Sequence, residues 1–360
     1  MKYTGRRILK AIGNRTGLTK LICTLLELEK APRKGYPLKT DKMFGVFNDS
    51  YGNSIKLYTG LRDRLKPAWE TMVNPVNTVI PIYSEAYRKQ KMKNHLVALT
   101  RIENFLQTFS LSFVDKEILE IGVSDGSTAY AFATLGAKRV VGTDIAAYHI
   151  NETPGGVVTE EAIASKNLEL ERVRDAFSQV VDKKAAKRVS FIEDNICNST
   201  VASESVDVVV SWEVLEHISD PNQAFKEMAR IVKPGGFVFH EYNPFFSADG
   251  GHSLCTLDFP WGHARLDDKD FERYYDEIRP NEKGVSLSFF RNNLNRMTLA
   301  HLKESVEQNG LRIVSIIPWY SAEDQAVLTN EMLQQCKNIH PTAELVDLIA
   351  PIVWLLCEKK

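Results

Sequence analysis

The 360-residue sequence predicts an α/β fold in which a seven-stranded, mostly parallel sheet carries helices on both faces, preceded by a basic, mainly helical accessory region. Three observations predict it. After Asp115 short apolar runs alternate with helical periodicity, as a succession of βαβ units requires. The first of these runs ends in a glycine-rich turn that opens a helix. With 44% hydrophobic residues over this length, the chain can bury one large core and still carry a second segment.

Taken in order, the elements bear this out. Residues 1–40 hold ten Lys and Arg against only Glu27 and Glu29. Ile8, Leu9, Ile12, Leu18, Leu21, Ile22, Leu25 and Leu26 follow an imperfect helical spacing there. Two readings stay open: an amphipathic helix in peripheral contact with an anionic membrane, or a solvated helix packed on its own domain. Residues 34–81 are broken by prolines and glycines into short pieces. A helix is expected over 84–109, where Leu96, Leu99, Ile102, Phe105 and Leu106 recur at helical spacing. The accessory region is therefore assigned to 1–110 and the sheet domain to 111–360. Strands are predicted at 118–121, 139–143, 189–192, 206–211, 237–241, 311–318 and 351–357, with a helical insertion at 324–349 between the last two.

Composition removes several classes of function. A net charge of -1 offers no field for nucleic acid, so no nucleic-acid partner is expected. Five scattered cysteines without a C-x-x-C pair argue against a disulfide framework or structural zinc and fit a cytoplasmic protein. No run approaches the roughly 20 apolar residues that span a bilayer. The sequence leaves the oligomeric state open.

The turn after the first strand reads Glu120-Ile121-Gly122-Val123-Ser124-Asp125-Gly126, and Ala129, Phe132, Ala133 and Leu135 continue as a helix. Glycines there let a ligand approach the backbone, and the helix start presents unpaired N–H groups. Asp144 ends the next strand about 20 residues later, where a carboxylate accepts both hydroxyls of a ribose. A hydride-transferring dehydrogenase uses similar parts, but its G-x-G-x-x-G spacing is absent.

These residues resemble the class I S-adenosylmethionine-dependent methyltransferases, whose first motif is E-x-G-x-G-x-G. Ser124 stands in place of the middle glycine, a departure the loop tolerates if its φ is negative. The likeness continues in Val214-Leu215-Glu216-His217-Ile218, similar to quinone-biosynthesis members, then in Asp220-Pro221 as N-cap and first helical residue, and in Lys233-Pro234-Gly235-Gly236. It spans residues 115–320. The resemblance implies a Rossmann-like sheet and S-adenosylmethionine as cofactor, held by Glu120, Gly122, Ser124, Gly126 and Asp144. It also implies Ile145 on an adenine face, Asp194 or, one residue on, Asn195 at the adenine amino group, and Ser211 and Trp212 near the methionine part.

The acceptor side is expected in an insertion at about 244–297, emerging beyond the fifth strand. Asn243-Pro244, Gly250-Gly251-His252, Pro260-Trp261-Gly262-His263 and Leu294-Asn295-Arg296-Met297-Thr298 together resemble a bacterial subgroup associated with polysaccharide and glycolipid assembly. Phe246 and Trp261 are read as stacking on a sugar, with Arg265 or Arg296 holding an anionic group. His252 and His263 are the candidate general bases, against the alternative that each only ties backbone groups together; His217 is expected to be structural. No metal is expected, because His240, Glu241, His252, Asp258 and His263 show no recognised ligand spacing. The expected activity is O-methylation of a saccharide or glycoconjugate. The alternatives are a small metabolite, natural product or lipid-linked quinone precursor as acceptor, or a non-catalytic cofactor-binding scaffold.

Overall fold

The structure is a computed structural model that describes residues 41–62, 84–151 and 156–359. The basic segment at 1–40, and Trp69 and Tyr83 further on, lie outside the described residues.

The described part begins with a hairpin of β1 (Met43–Asn48) and β2 (Ser54–Tyr58), which pair antiparallel. Its turn is tied by Asp49, whose Oδ1 accepts from the main-chain N–H of Tyr51 and Asn53. The two faces of the hairpin differ as strand alternation dictates: Phe47, Ile55 and Leu57 are buried while Phe44 and Val46 are exposed. The helix expected at 84–109 is α1 (Glu85–Gln107), started by Ser84, whose hydroxyl accepts from Tyr87 N–H. The accessory region thus contributes, among its described residues, a hairpin as well as a helix.

The sheet domain follows as β3 (Glu117–Ile121), α2 (Ser127–Leu135), β4 (Arg139–Asp144), α3 (Ala146–Asn151), α4 (Glu160–Ser178), α5 (Lys183–Ala186) and β5 (Val189–Glu193). It continues with β6 (Val206–Trp212), α6 (Pro221–Ile231) and β7 (Val232–Tyr242). Asp220 caps α6 by accepting from Gln223 N–H, with Pro221 at the first turn. The Lys-Pro-Gly-Gly turn forms a bulge at the start of β7, since Val206 pairs with Val232 and Val208 already with Phe237. Next come α7 (His252–Cys255), α8 (Gly262–Arg265), α9 (Asp268–Ile278), α10 (Lys283–Asn292) and α11 (Leu299–Gln308). The chain then runs through β8 (Leu311–Trp319), α12 (Ala322–Val327), α13 (Asn330–Ile339), α14 (Leu345–Ile349) and β9 (Ile352–Lys359).

The seven strands lie in the order β5-β4-β3-β6-β7-β9-β8. Strands β3 to β7 pair in parallel, and β9 runs antiparallel to both β7 and β8. The chain winds outward from β3 to β5, then returns to place β6 on the other side of β3. A crevice opens beyond the carboxyl ends of β3 and β6 wherever an α/β sheet reverses in this way. Val208 and Val210 pack in the cluster that holds α1 and α2, and Val209 in that of α6 and α11, so apolar layers cover both faces.

A third cluster joins parts that the expected boundary at residue 110 would separate. Phe47, Ile55 and Leu57 of the hairpin pack with Phe245, Phe246, Trp261, Tyr274 and Tyr275 of the insertion, and with Cys336 and Leu348 beyond β8. Arg62 and Glu282 cross the same boundary as a buried ion pair at 2.6 Å. The hairpin therefore belongs to the insertion's core. Cys197, Cys255, Cys336 and Cys357 are free thiols, and no helix among the described residues is long and apolar enough to cross a membrane.

Candidate functional site

The crevice at the switch point is a cavity of about 440 Å³, lined from the sheet side by Gly122, Ser124, Asp144, Ile145, Asp194, Asn195 and Trp212. Its other wall includes Tyr148 and His149 of α3, Val214, His217 and Ile218 of the loop after β6, and Asn292 and Asn293. Of the sequence-predicted cofactor residues Glu120, Gly126 and Ser211 do not line it, and neither do Phe246, His252, Trp261, His263, Arg265 and Arg296 of the predicted acceptor set.

The loop after β3 has left-handed backbone at Gly122, Ser124 and Gly126, with φ of 68°, 46° and 76°. This overturns the negative φ expected for Ser124. The serine is held there from both sides: its N–H donates to Asp144 Oδ2 at 2.6 Å, and its carbonyl accepts from Arg174 Nε at 2.9 Å. At Gly122 no side chain fits, because a Cβ would stand 2.4 Å from Val214 Cγ2.

Asp144 is buried and also accepts from Ile145 N–H at 2.9 Å, with His149 Nε2 at 3.2 Å and Arg174 Nη2 at 3.5 Å. Oδ2 is thus met by Ser124 N–H, His149 and Arg174, whereas Oδ1 accepts only from Ile145 N–H and keeps accepting capacity for a hydroxyl. Arg174 stacks on Phe191, its guanidinium carbon 4.8 Å from the ring centre. Glu120 lies beneath the loop, 2% exposed; burial, then Asp125 and Asp144, push its carboxyl well above the usual carboxylate range. The role of first-motif ligand expected for it is therefore not one of cavity lining. Ser211 is likewise removed from the cavity, fully buried with its Oγ 2.7 Å from His240 Nδ1. Asp194 accepts from Ser199 Oγ and from the N–H and hydroxyl of Thr200, and Asn195 Oδ1 from Cys197 N–H. These bonds fix the far end of the cavity.

On the acceptor side the structure reverses several expectations. His263 is 2% exposed and its Nε2 donates to Phe245 O at 2.7 Å; burial pushes its imidazole down to about 4. It cannot meet an acceptor. Phe246 and Trp261 are each 1% exposed in the insertion's core, and Trp261 Nε1 donates to Leu348 O. They offer no stacking platform. Arg265 is also buried, donating from Nε to Gln335 Oε1 at 2.7 Å and from Nη1 to Pro260 O. Arg296 lies over the rings of Phe245 and Phe290 and donates to Leu294 O. The density of aromatic and polar residues in this stretch reflects a folded core whose charges are satisfied internally.

His252 does reach the site, through His217. Their rings lie 4.8 Å apart, and the ligating atoms of Glu216, His217 and His252 all fall within 4.8 Å of one another. Of the five residues weighed for a metal, only His252 takes part in this group. His217 Nδ1 lies 2.6 Å from Asn293 O, and a carbonyl only accepts, so Nδ1 carries the proton and Nε2 the lone pair. Asn295 secures the loop: its Nδ2 donates to Leu215 O and Ile218 O, and its N–H to Glu216 O. Tyr148 and Phe289 flank His217, ring centres 4.9 and 6.0 Å away.

Sequence reasoning missed Tyr148, His149, Arg174, Asn292 and Asn293, and read His217 as structural. Tyr148 and His149 had a signal, since they follow the ribose-type acid within one helical turn. Arg174 had none, because a cation toward the carboxyl end of α4 reads as a solvated face.

A family profile described as "Methyltransferase domain" matches residues 67–316. A mitochondrial ubiquinone biosynthesis O-methyltransferase of Dictyostelium discoideum is 27% identical over 172 residues, 44% of this chain and 48% of the relative. A ubiquinone biosynthesis O-methyltransferase of Bordetella avium is 29% identical over 145 residues, 40% of this chain and 49% of the relative. The chain thus spans about half the length of these curated relatives. Among solved structures, an S-adenosylmethionine-dependent methyltransferase from Listeria monocytogenes aligns over 71% of this chain and 97% of its own, at 15% identity and a TM-score of 0.41.

Proposed function

The chain belongs to the methyltransferase-domain family, and from that premise we propose that it transfers a methyl group from S-adenosylmethionine to a hydroxyl of a small acceptor, with His217 as general base. The cofactor supplies an electrophilic methyl group on a sulfonium. The residues present fit it: Asp144 lines the cavity with accepting capacity left on Oδ1 for a ribose hydroxyl, and Ile145 gives an apolar wall beside it. Gly122, with left-handed backbone and no side chain, and the small Ser124 line the approach.

One observation carries the choice of base. His217 lines the same cavity as Asp144, and its Nδ1–H donates to Asn293 O, which fixes the tautomer with the basic lone pair on Nε2. The carbonyl then stabilises the imidazolium, and Glu216 and His252 stand close enough to share the charge. A fixed tautomer also fixes ring orientation, and alignment is the larger part of an in-line displacement.

A lipid-linked quinone precursor is the leading acceptor. Support comes from the relatives named for ubiquinone biosynthesis and from the aromatic ring of Tyr148, which lines the cavity beside His217. The basic stretch at 1–40 suits an anionic membrane where such an acceptor resides. The saccharide reading loses its main support with the burial of Phe246 and Trp261.

The test is turnover with isotopically labelled S-adenosylmethionine on a panel of phenols, quinone precursors and sugars. His217→Gln is expected to lower kcat on the order of 10²–10⁴-fold with cofactor affinity unchanged by calorimetry. Full turnover in that variant overturns the base assignment, and cofactor binding without transfer to any acceptor makes the chain a scaffold.

A further inference from the structure

Asn293 caps the carboxyl end of α10 and lines the cavity. It is 2% exposed, and neither Nδ2 nor Oδ1 of its side chain has a hydrogen-bond partner. Its backbone is fully engaged, with the N–H donating to Phe289 O and the carbonyl accepting from His217. Leaving both ends of a buried amide unpaired is costly, and an apolar side chain would fill the same volume without that cost. Residues of this kind concentrate where a ligand supplies the missing partners.

We propose that the Asn293 carboxamide recognises a polar substituent of the methyl acceptor, distinct from the hydroxyl that is methylated and able both to donate and to accept a hydrogen bond. The chemistry is complementary at both ends: Nδ2 donates to an oxygen, and Oδ1 accepts from an O–H or N–H. The same residue's carbonyl orients His217, so substituent recognition and proton removal are referenced to one piece of backbone. Asn293 then selects acceptors with a second polar group at a set distance from the reacting oxygen. This rests on the cavity being a methyl-transfer site.

The experiment compares wild type with Asn293→Leu and Asn293→Asp, using catechol and phenol as probes that differ by one hydroxyl. In Asn293→Leu the ligand-free Tm is expected to hold or rise, and cofactor affinity to stay within about twofold. The ratio of its KM for catechol to its KM for phenol is expected to rise on the order of 10-fold or more, with kcat less affected. Asn293→Asp, which keeps the accepting atom and loses the donor, falls between. Equal KM values for both probes in all three proteins overturn the inference, as does a fall in Tm accompanied by loss of cofactor binding. Calorimetric binding of catechol to the S-adenosylhomocysteine-loaded protein reads Asn293 without turnover. An absence of methyl transfer in the wild type therefore counts against the proposed function, whereas equal catechol binding by wild type and Asn293→Leu counts against Asn293.

Discussion

His263→Gln separates a histidine that builds the fold from one that performs chemistry. In the folded chain the imidazole is neutral down to about 4, because burial opposes its charge, whereas an unfolded chain takes the proton at the ordinary 6.5. The folded state therefore binds fewer protons between these limits, and stability is lost as pH falls through that window. At roughly 1.4 kcal/mol per pH unit, the gap amounts to about 3 kcal/mol, fully expressed at pH 4 and absent above about pH 7.5. Glutamine keeps an N–H for Phe245 O and does not titrate. Urea unfolding of both proteins from pH 7.5 to pH 4 should show the wild type losing about 3 kcal/mol more than the variant. His240, buried and pushed down to about 3, acts equally in both and cancels from the difference. Parallel stability curves would refute the reasoning. Turnover of His263→Gln at pH 7.5 is expected to remain within several-fold of wild type, and a loss comparable to that of His217→Gln would return His263 to the catalytic group.

Gly122→Ala should destabilise by about 2–4 kcal/mol, because it combines left-handed backbone with a Cβ forced against Val214. Adding Val214→Ala should recover the steric part, and a double-mutant cycle without coupling rules that contact out. Glu120→Gln should remove a pH slope of the opposite sign to that of His263. The Glu120 carboxyl is raised in the folded state, so its contribution is present below about 4.5 and declines as pH rises, by up to about 1.4 kcal/mol per unit. Denaturation at several pH values checks this: the wild type should weaken relative to the variant on going from pH 5 to pH 8.

The sheet and the cofactor half of the cavity were legible because each of their motifs is local. The strand, glycine turn and Asp144 fall within 30 residues, and the geometry of a βαβ unit brings them together whatever the rest of the chain does. The acceptor half was not legible for the converse reason. His217, His252 and Asn293 come from three separated segments, and their meeting depends on the fold of the insertion. A stretch rich in Phe, Trp, His and Arg reads identically whether its rings face a ligand or one another, and only burial distinguishes the two. His217 illustrates a subtler limit. It was expected to be structural, and it does bond the distant Asn293 carbonyl, but the same bond also fixes its tautomer.

The position of β9 between β7 and β8 sets an order on biosynthesis. During translation β8 leaves the ribosome with no neighbour on the main sheet, since the strand that bridges it to β7 is the last of the described elements to be made. Until then β7 and β8 present open edges, and nascent chains on one polysome could pair through them. The helices at 322–349, which cover part of the insertion's core, emerge in that interval and are pinned at both ends only when β9 slides into its slot. Chaperone dependence and aggregation of this chain should therefore track the synthesis of β9 rather than the assembly of the nucleoside-binding half.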